Sequence, residues 1–259
     1  MFRRVCICAL VMLAPRLAEA TYSPPLTRVR IDADRTLHTP SVLYASERKT
    51  TPATDVELKA WGAQYLGQFE FDSGFGLQIG AAAGLANVDG AVGGREAFTV
   101  DTDGVWLGGQ LRAYQMVWSS TVAEGERPSA LTAFVNLRTL YYDTRGTERG
   151  GGDADLSLFT LTGGIGLMAE LSVSDYVSIC PYAWLTPGVT ARLDYTIRDQ
   201  DFSVDGGFTL RNPLLVGVDV WVYLFPPNWE DHLSLSLLLS LLDTQGDDRT
   251  VATVIGYTF

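Results

Sequence analysis

Large apolar residues alternate with small or polar residues through most of this chain. The last nine residues, Val251–Phe259, show the pattern most clearly. One face carries Val251, Ile255, Tyr257 and Phe259, with Thr253 between them. A period of two residues is typical of a β-strand with one apolar face. The chain ends on an aromatic residue within that pattern.

Eight upstream segments share this period. In each, one face is apolar, and the other mixes glycine with hydroxyl, amide and charged side chains. The pattern predicts an all-β protein. The segments are, in chain order, 61–71, 75–85, 105–117, 131–141, 159–171, 177–195, 208–224 and 232–242.

The polar faces contain almost no lysine, since Lys49 and Lys59 are the only two in the chain. A secreted β-sandwich and a membrane barrel both alternate in this way, but a face open to bulk water is usually richer in lysine and glutamate. No segment after residue 20 offers the roughly 20 apolar residues of a membrane helix. We therefore predict a transmembrane antiparallel up-and-down β-barrel, with its apolar face in lipid and its polar face in the lumen.

Short and long connections alternate along the chain, as they do between the periplasmic and external ends of such barrels. The C-terminal strand ends on the short-turn side. Counting back from it, segment 61–71 begins on the long-loop side, so one more strand must precede residue 50 to bring the chain there. Segment 28–44 is the only candidate, although its alternation is poor. We predict ten strands; eight or twelve are the alternatives, if 28–44 is a plug or a strand has been wrongly joined. The predicted long loops are 87–98, 143–155, 196–206 and 243–249.

The first 20 residues fit a secretory signal peptide. A basic start, Met1-Phe-Arg-Arg, precedes an apolar stretch over 5–14 and a small-x-small cleavage motif, Ala18-Glu-Ala20. We expect residues 21–259 to form a single barrel domain, with a weakly patterned segment at 21–52.

Charge and cysteine content narrow the functional classes. Residues 1–20 contain three of the 19 basic and one of the 30 acidic residues, so the remaining chain has a net charge of −13. Nucleic acid is an unsuitable partner for such a chain. Cys180 is the only cysteine after the signal segment, which excludes an internal disulfide.

With its signal peptide, its alternating strands over 55–259 and its Tyr257-x-Phe259 ending, the chain resembles the integral outer-membrane β-barrel proteins of diderm bacteria. The resemblance implies an outer-membrane location and contact with the lipid bilayer, including lipopolysaccharide in the outer leaflet. It also implies that Tyr257 and Phe259 form the assembly signal recognised by the barrel-assembly machinery.

Two motifs could carry enzyme chemistry. His232 and Ser234 share a strand face, as in outer-membrane phospholipases, but they are predicted in the lumen at the periplasmic end. Asp101 and Asp103 resemble half of the acidic pairs of the omptin proteases, yet neither His38 nor His232 is expected near them. We therefore expect no enzyme activity, no cofactor and no metal; an outer-membrane hydrolase is a remote alternative.

Several charged side chains are predicted to point into the lumen. Two hypotheses account for them: salt-bridged filling of a closed lumen, or the lining of a narrow path that selects ions or solutes. Five aromatic residues are predicted beside them: Tyr114, Tyr182, Trp184, Trp221 and Tyr223. The charged residues are Arg112, Arg138, Arg192, Asp219 and Glu170.

The sequence thus leaves two functions open. One is a narrow pore or channel for small solutes. The other is a surface-exposed adhesin or structural protein with a filled lumen, which would contact host surface proteins through the glycine-rich loop 144–153.

Overall fold

In the computed structural model, the described residues form eleven β-strands. The structure describes residues 36–51, 54–71, 74–92, 98–120, 128–148, 152–197, 200–209, 214–225, 228–240 and 249–259. The strands are β1 Thr36–Thr51, β2 Thr54–Glu70, β3 Phe75–Val92, β4 Phe98–Ser119, β5 Ala130–Glu148, β6 Asp153–Ser174, β7 Val177–Ile197, β8 Gln200–Thr209, β9 Leu214–Phe225, β10 Asn228–Ser240 and β11 Arg249–Thr258. Within these ranges there is no helix long and apolar enough to span a membrane.

The strands close into one antiparallel barrel, because β1 pairs with both β2 and β11. Strand β8 pairs with residues 188–197 of β7, and β9 pairs with residues 177–185 of the same strand. Strands β8 and β9 therefore occupy a single strand position in the barrel wall, next to β7. This gives the ten-stranded closed barrel that the sequence predicts.

Strand β1 is the additional strand that the connection pattern requires before residue 50. It pairs with β2 over sixteen residues and with β11 over eight. Its described part begins at Thr36, and residues 28–35 of the predicted segment lie outside the described residues. The predicted signal peptide, residues 1–20, lies outside the described residues, so its prediction stands untested.

The outer face is apolar and bounded by aromatic residues. At the external boundary lie Tyr44, Trp61, Tyr141 and Phe159; at the periplasmic boundary lie Phe69, Phe71, Phe75, Trp118, Tyr176 and Phe259. On β2, Trp61 and Phe69 are eight positions apart, about 27 Å along the strand at ~3.4 Å per residue. This matches an apolar band about 25 Å tall between two aromatic girdles, crossed by tilted strands.

Three of the four predicted long loops are largely strand where the structure describes them, which corrects the sequence interpretation; the fourth, 243–249, lies outside the described residues except for residue 249. Strands β3 and β4 pair out to Val92 and Phe98, and β5 and β6 pair from Thr147 to Asp153. Residues 144–148, placed in the predicted adhesive loop, therefore belong to β5. Outside lipid the outward face meets water and becomes polar, so a continuing strand resembles a loop in sequence.

A β-bulge in β7 reverses the direction of its side chains. Two residues, Thr186 and Pro187, separate the paired positions 185 and 188, whereas β6 has one residue in the same interval. An inserted residue moves every later side chain to the opposite face. Arg192 consequently lies opposite the outward-facing Phe159, so its predicted position in the lumen is wrong.

Glycine lets large lumen side chains lie against the wall. The indole of Trp106 on β4 crosses Gly84 on β3, and its Nε1 donates a hydrogen bond of 3.2 Å to the Trp61 carbonyl on β2. A Cβ on Gly84 would lie 2.7 Å from that Nε1 and would clash with the same carbonyl.

We expect Gly84→Ala to destabilise the barrel by about 1–3 kcal/mol, because the added methyl displaces Trp106 or bends β3. Urea-induced unfolding in lipid vesicles, followed by tryptophan fluorescence, measures the change. Gly163→Ala is the matched control, since a Cβ there has no neighbour within 4 Å. Equal stability of the two variants would contradict this packing.

Candidate functional site

The membrane-level part of the lumen contains a polar network built by adjacent strands. Arg112 and Arg138 lie on the neighbouring strands β4 and β5, as predicted, and both are almost fully buried. Arg112 donates a hydrogen bond of 3.3 Å to Gln78 Oε1, and Gln110 Nε2 donates to the same oxygen at 3.0 Å. The amide of Gln78 thus links the arginine to the wall of β3.

The two arginines also contact a pair of aromatic rings. The guanidinium of Arg112 lies 4.8 Å from the ring centre of Phe134, and that of Arg138 lies 5.4 Å from the Trp184 ring. The two rings meet edge to face at 6.3 Å. Such cation–π contacts hold the guanidinium groups in fixed positions and fill space across the lumen.

Asp219 on β9 accepts two hydrogen bonds in a fully buried position. Trp221 Nε1 donates at 2.6 Å, and the Ser236 hydroxyl of β10 donates to the other carboxylate oxygen. A buried carboxylate depends on such donors, because burial without them is very unfavourable. Asp219 therefore joins β9 to β10 through side chains as well as through the ladder.

The external part of the lumen is an apolar core. Inward-facing Leu58, Trp106, Tyr142 and Leu158 come from four different strands, and each is at most 1% exposed. They belong to one cluster of buried side chains that continues to Val254 on the last strand. Trp106 and Tyr142 were not predicted in the lumen. Each lies an even number of residues from an inward-facing arginine on its own strand, Arg112 on β4 and Arg138 on β5, and this spacing was the available signal.

Lumen side chains at both levels are nearly inaccessible to water. Asp219 is 0%, Arg112 and Glu170 are 2%, and Arg138 is 4% exposed. A cavity of about 20 Å³ lies beside Gln64, Gln110 and Trp106. This volume suits one water molecule. The described lumen is therefore filled by protein at these positions.

The predicted His232–Ser234 pair points into this filled lumen, at its periplasmic end. His232 is fully buried between the rings of Trp221 and Tyr223, with centroid distances of 5.2 and 5.3 Å. The carboxylate of Asp219 is hydrogen-bonded to Trp221 and Ser236. The pair thus has the face and the depth that the sequence predicts, in a place that water hardly reaches.

Asp101 and Asp103 lie on the outward face of β4, above the external girdle, rather than in a loop. Asn87 Nδ2 donates to Asp103 at 3.0 Å and lies 3.4 Å from Asp101 Oδ1. Along β4 they are eight to ten residues from Leu111, which lies level with His38 across the sheet. That is about 27–34 Å at ~3.4 Å per residue. Within the described ranges no three His, Cys, Asp or Glu residues are arranged to hold a metal ion.

Acidic residues dominate the outward face above the external girdle. We call this surface the acidic outer wall; its members are Glu57, Asp89, Asp101, Asp103, Asp143, Asp153 and Asp155. Basic residues lie among them: Lys59 Nζ lies 3.1 Å from Glu57, Arg192 Nε lies 2.9 Å from Asp194, and Arg145 stands between Asp103 and Asp155 in the ladder. The hydrogen bond and charge of Glu57 raise the pKa of Lys59 above its usual value.

The C-terminal residues lie on the lipid-facing side of the seam between β11 and β1. Phe259 exchanges two backbone hydrogen bonds with His38, at 2.9 and 3.1 Å. Its ring contacts those of Tyr257 and His38, and the Tyr65 hydroxyl lies 2.6 Å from His38 Nδ1. The ending thus helps to close the barrel; its role as an assembly signal remains a prediction.

A closed antiparallel barrel with an apolar belt bounded by aromatic residues is the architecture of the outer-membrane β-barrel proteins of Gram-negative bacteria, and this ten-stranded barrel belongs to that class. The sequence matches no protein-family model and no curated protein. Solved structures agree on the fold. The outer-membrane protease OmpT of Escherichia coli superposes with a TM-score of 0.54 at 11% identity, covering 90% of this chain and 98% of that one.

Two autotransporter barrels are also among the similar solved structures. The transport unit of AIDA-I from Escherichia coli has a TM-score of 0.50 at 10% identity, covering 98% of this chain and 97% of that chain. The translocator domain of NalP from Neisseria meningitidis has a TM-score of 0.47 at 7% identity, covering 86% and 88%. At these identities the likeness concerns the fold alone.

We expect Asp219→Ala to destabilise the folded barrel. The substitution leaves two buried donors, Trp221 Nε1 and the Ser236 hydroxyl, without their acceptor, at roughly 1–3 kcal/mol for each. Urea-induced unfolding in vesicles measures the loss. Asp194→Ala is the control, because its ion pair with Arg192 is exposed and contributes about 0–1 kcal/mol. A loss at Asp219 no larger than that at Asp194 would contradict the network.

Proposed function

We propose that this protein is an integral outer-membrane β-barrel with a closed lumen, and that it acts through its external surface as a non-catalytic adhesin or structural protein. The observation that supports this most directly is the burial of the lumen side chains. An open channel would leave the residues that line it accessible to water, as in the large porins. Here the arginines, Glu170 and Asp219 are buried.

The two parts of the lumen would resist permeation in different ways. At membrane level, Arg112 is held by a hydrogen bond to Gln78 and a contact with the Phe134 ring, and Arg138 is held by a contact with the Trp184 ring. Neither side chain can readily follow a passing solute. In the external part, Leu58, Trp106 and Leu158 form an apolar core. Apolar constrictions exclude water and thereby ions.

The acidic outer wall is the surface that we propose for contact with host surface proteins. It stands on paired strands, so its carboxylates keep fixed spacings and a partner loses little entropy in ordering them. Exposed carboxylates of one sign favour a partner with a basic face. We further propose export by the signal peptide, assembly through the Tyr257–Phe259 ending, and contact with outer-membrane lipid around the belt.

A narrow pore is the second candidate, supported by the polar atoms of the membrane-level lumen. The side-chain oxygens Gln64 Oε1, Gln110 Oε1 and Asn136 Oδ1 are buried and have no hydrogen-bond partner among the residues that the structure describes. Such oxygens can bind water. If the apolar core opened, they would line a hydrated path past Arg112 and Arg138.

Conductance in planar lipid bilayers separates the two candidates. We expect the purified wild-type protein to show no sustained conductance. We expect Trp106→Ala to raise the frequency of brief openings, because removal of the indole leaves a gap in the apolar core. Gly163→Ala is the control, since it changes no lumen side chain. The pore would be favoured instead if the wild type conducted steadily and the double variant Arg112→Ala, Arg138→Ala changed that conductance.

Binding of whole cells to immobilised extracellular-matrix and serum proteins tests the external surface. We expect cells that display the wild type to bind, and the triple variant Asp101→Asn, Asp103→Asn, Asp155→Asn to bind several-fold less. Binding should also weaken with added salt, because exposed charges are screened. Asp175→Asn, in the turn between β6 and β7 at the opposite end, is the matched control. Equal binding by the triple variant and the wild type would contradict the role of the wall.

A further inference from the structure

The cavity of about 20 Å³ in the lumen lies where the inward-facing residues of β3 are small. Gly80 of β3 is paired with Gln110 of β4, and Ala82 of β3 is paired with Gln64 of β2. Because neither Gly80 nor Ala82 extends beyond Cβ, the two glutamine side chains line one space from the strands on either side of β3. We call this space the glutamine cavity.

The orientation of the Gln110 amide follows from its neighbours. The guanidinium of Arg112 can only donate hydrogen bonds, so the Gln78 atom that it contacts at 3.3 Å must be the amide oxygen. That oxygen can only accept, so the Gln110 atom that lies 3.0 Å from it must be the amide nitrogen. The chain of contacts thus fixes Gln110 Oε1 as an acceptor that Gln78 does not use.

Two buried acceptors therefore line the glutamine cavity. Gln64 Oε1 and Gln110 Oε1 have no hydrogen-bond partner among the described residues, and their side chains are 6% and 8% exposed. Two acceptors cannot bond to each other, and a buried acceptor without a donor is unfavourable. The cavity consequently requires an occupant that donates hydrogen bonds in two directions.

Water meets this requirement better than a metal ion does. A water molecule donates two hydrogen bonds, and the cavity has room for one. Calcium and magnesium usually take about six or more oxygen ligands. Among the described residues that line the cavity, only Gln64 and Gln110 have side-chain oxygens. Arg138 also lines the cavity, and its positive charge disfavours a cation there.

We propose that the glutamine cavity is a binding site for one water molecule, which donates hydrogen bonds to Gln64 Oε1 and Gln110 Oε1. The bound water extends the network of Arg112, Gln78 and Gln110 from β3 and β4 to β2. Three neighbouring strands are then joined inside the lumen by side chains as well as by backbone pairing. This site is independent of the external surface, so it holds whether or not that surface binds a host protein.

A crystal structure of the wild-type barrel, at a resolution that locates water molecules, tests the site. We expect one water oxygen at about 2.5–3.0 Å from both Gln64 Oε1 and Gln110 Oε1. An empty cavity would overturn the proposal, and so would a reversed Gln64 amide that donates directly to Gln110. An anomalous peak in the cavity after soaking with rubidium chloride would identify a cation and would also overturn it.

A double-mutant cycle tests the bridge in the folded full-length protein. Methionine has nearly the shape of glutamine but lacks the amide oxygen. We expect Gln64→Met to lower the folding equilibrium constant in urea about tenfold, equivalent to about 1.4 kcal/mol. In a Gln110→Met background the same change should cost no more than about twofold, because the water has already lost one of its two acceptors.

Gln115→Met is the matched control, since Gln115 lies on β4 but is exposed on the outer face. Its effect should add to that of Gln64→Met, because no water links the two side chains. Additive effects of Gln64→Met and Gln110→Met would overturn the proposed bridge.

Discussion

Backbone hydrogen bonding in lipid is the constraint on which the rest of this structure depends. Within hydrocarbon every peptide N–H and C=O needs a partner in the protein, and a sheet meets this demand only when it has no free edge. Pairing of β1 with β11 closes the ring of strands at membrane level, and the exchange of hydrogen bonds between His38 and Phe259 continues this pairing to the last residue. Closure then fixes the two faces: each strand sends alternate side chains into lipid and into a confined interior.

The confined interior imposes a second demand, because ten strands enclose a space that side chains can nearly fill. Trp106 and Tyr142 fill the external part, while Arg112, Arg138 and Asp219 occupy the membrane-level part. Glycines make room for the aromatic rings, as Gly84 does for Trp106. Polar and apolar filling thus belong to one packing arrangement, in which Arg112 and Asp219 are hydrogen-bonded to side chains of adjacent strands.

Much of this fold can be predicted from sequence, since lipid on one side and protein on the other produce a strong period of two. The pattern identified the lipid-facing side, the inward Arg112, Arg138 and Asp219, and the requirement for a strand before residue 50. It failed where lipid ends: around Asp101 and Asp143 both faces carry polar residues, although inward Thr102 and Thr144 remain buried. A search for periodicity on the inner face alone would extend those strands.

The reversal at the β7 bulge escaped the sequence analysis for a different reason. In the sequence, alternation continues over 177–195. The inserted residue reverses the face of the barrel on which the odd-numbered residues lie, but it does not interrupt the period of two. Pro187 was the available signal, since proline within a central strand is typical of a bulge. The charged surface above the external girdle depends on side chains from separate strands, such as Asn87 with Asp103, and becomes visible only when the register is known.

Cysteine accessibility tests the closed lumen most directly. In a background with Cys180→Ser, single cysteines at Thr144 and Asn136 sample the external and membrane-level parts of the lumen, and Asp103→Cys samples the acidic outer wall. A small water-soluble thiol reagent should label the cysteine at position 103 rapidly in the folded barrel. It should label those at 144 and 136 only after unfolding. Rapid labelling of both lumen positions in the folded protein would contradict a filled lumen and would indicate an open channel.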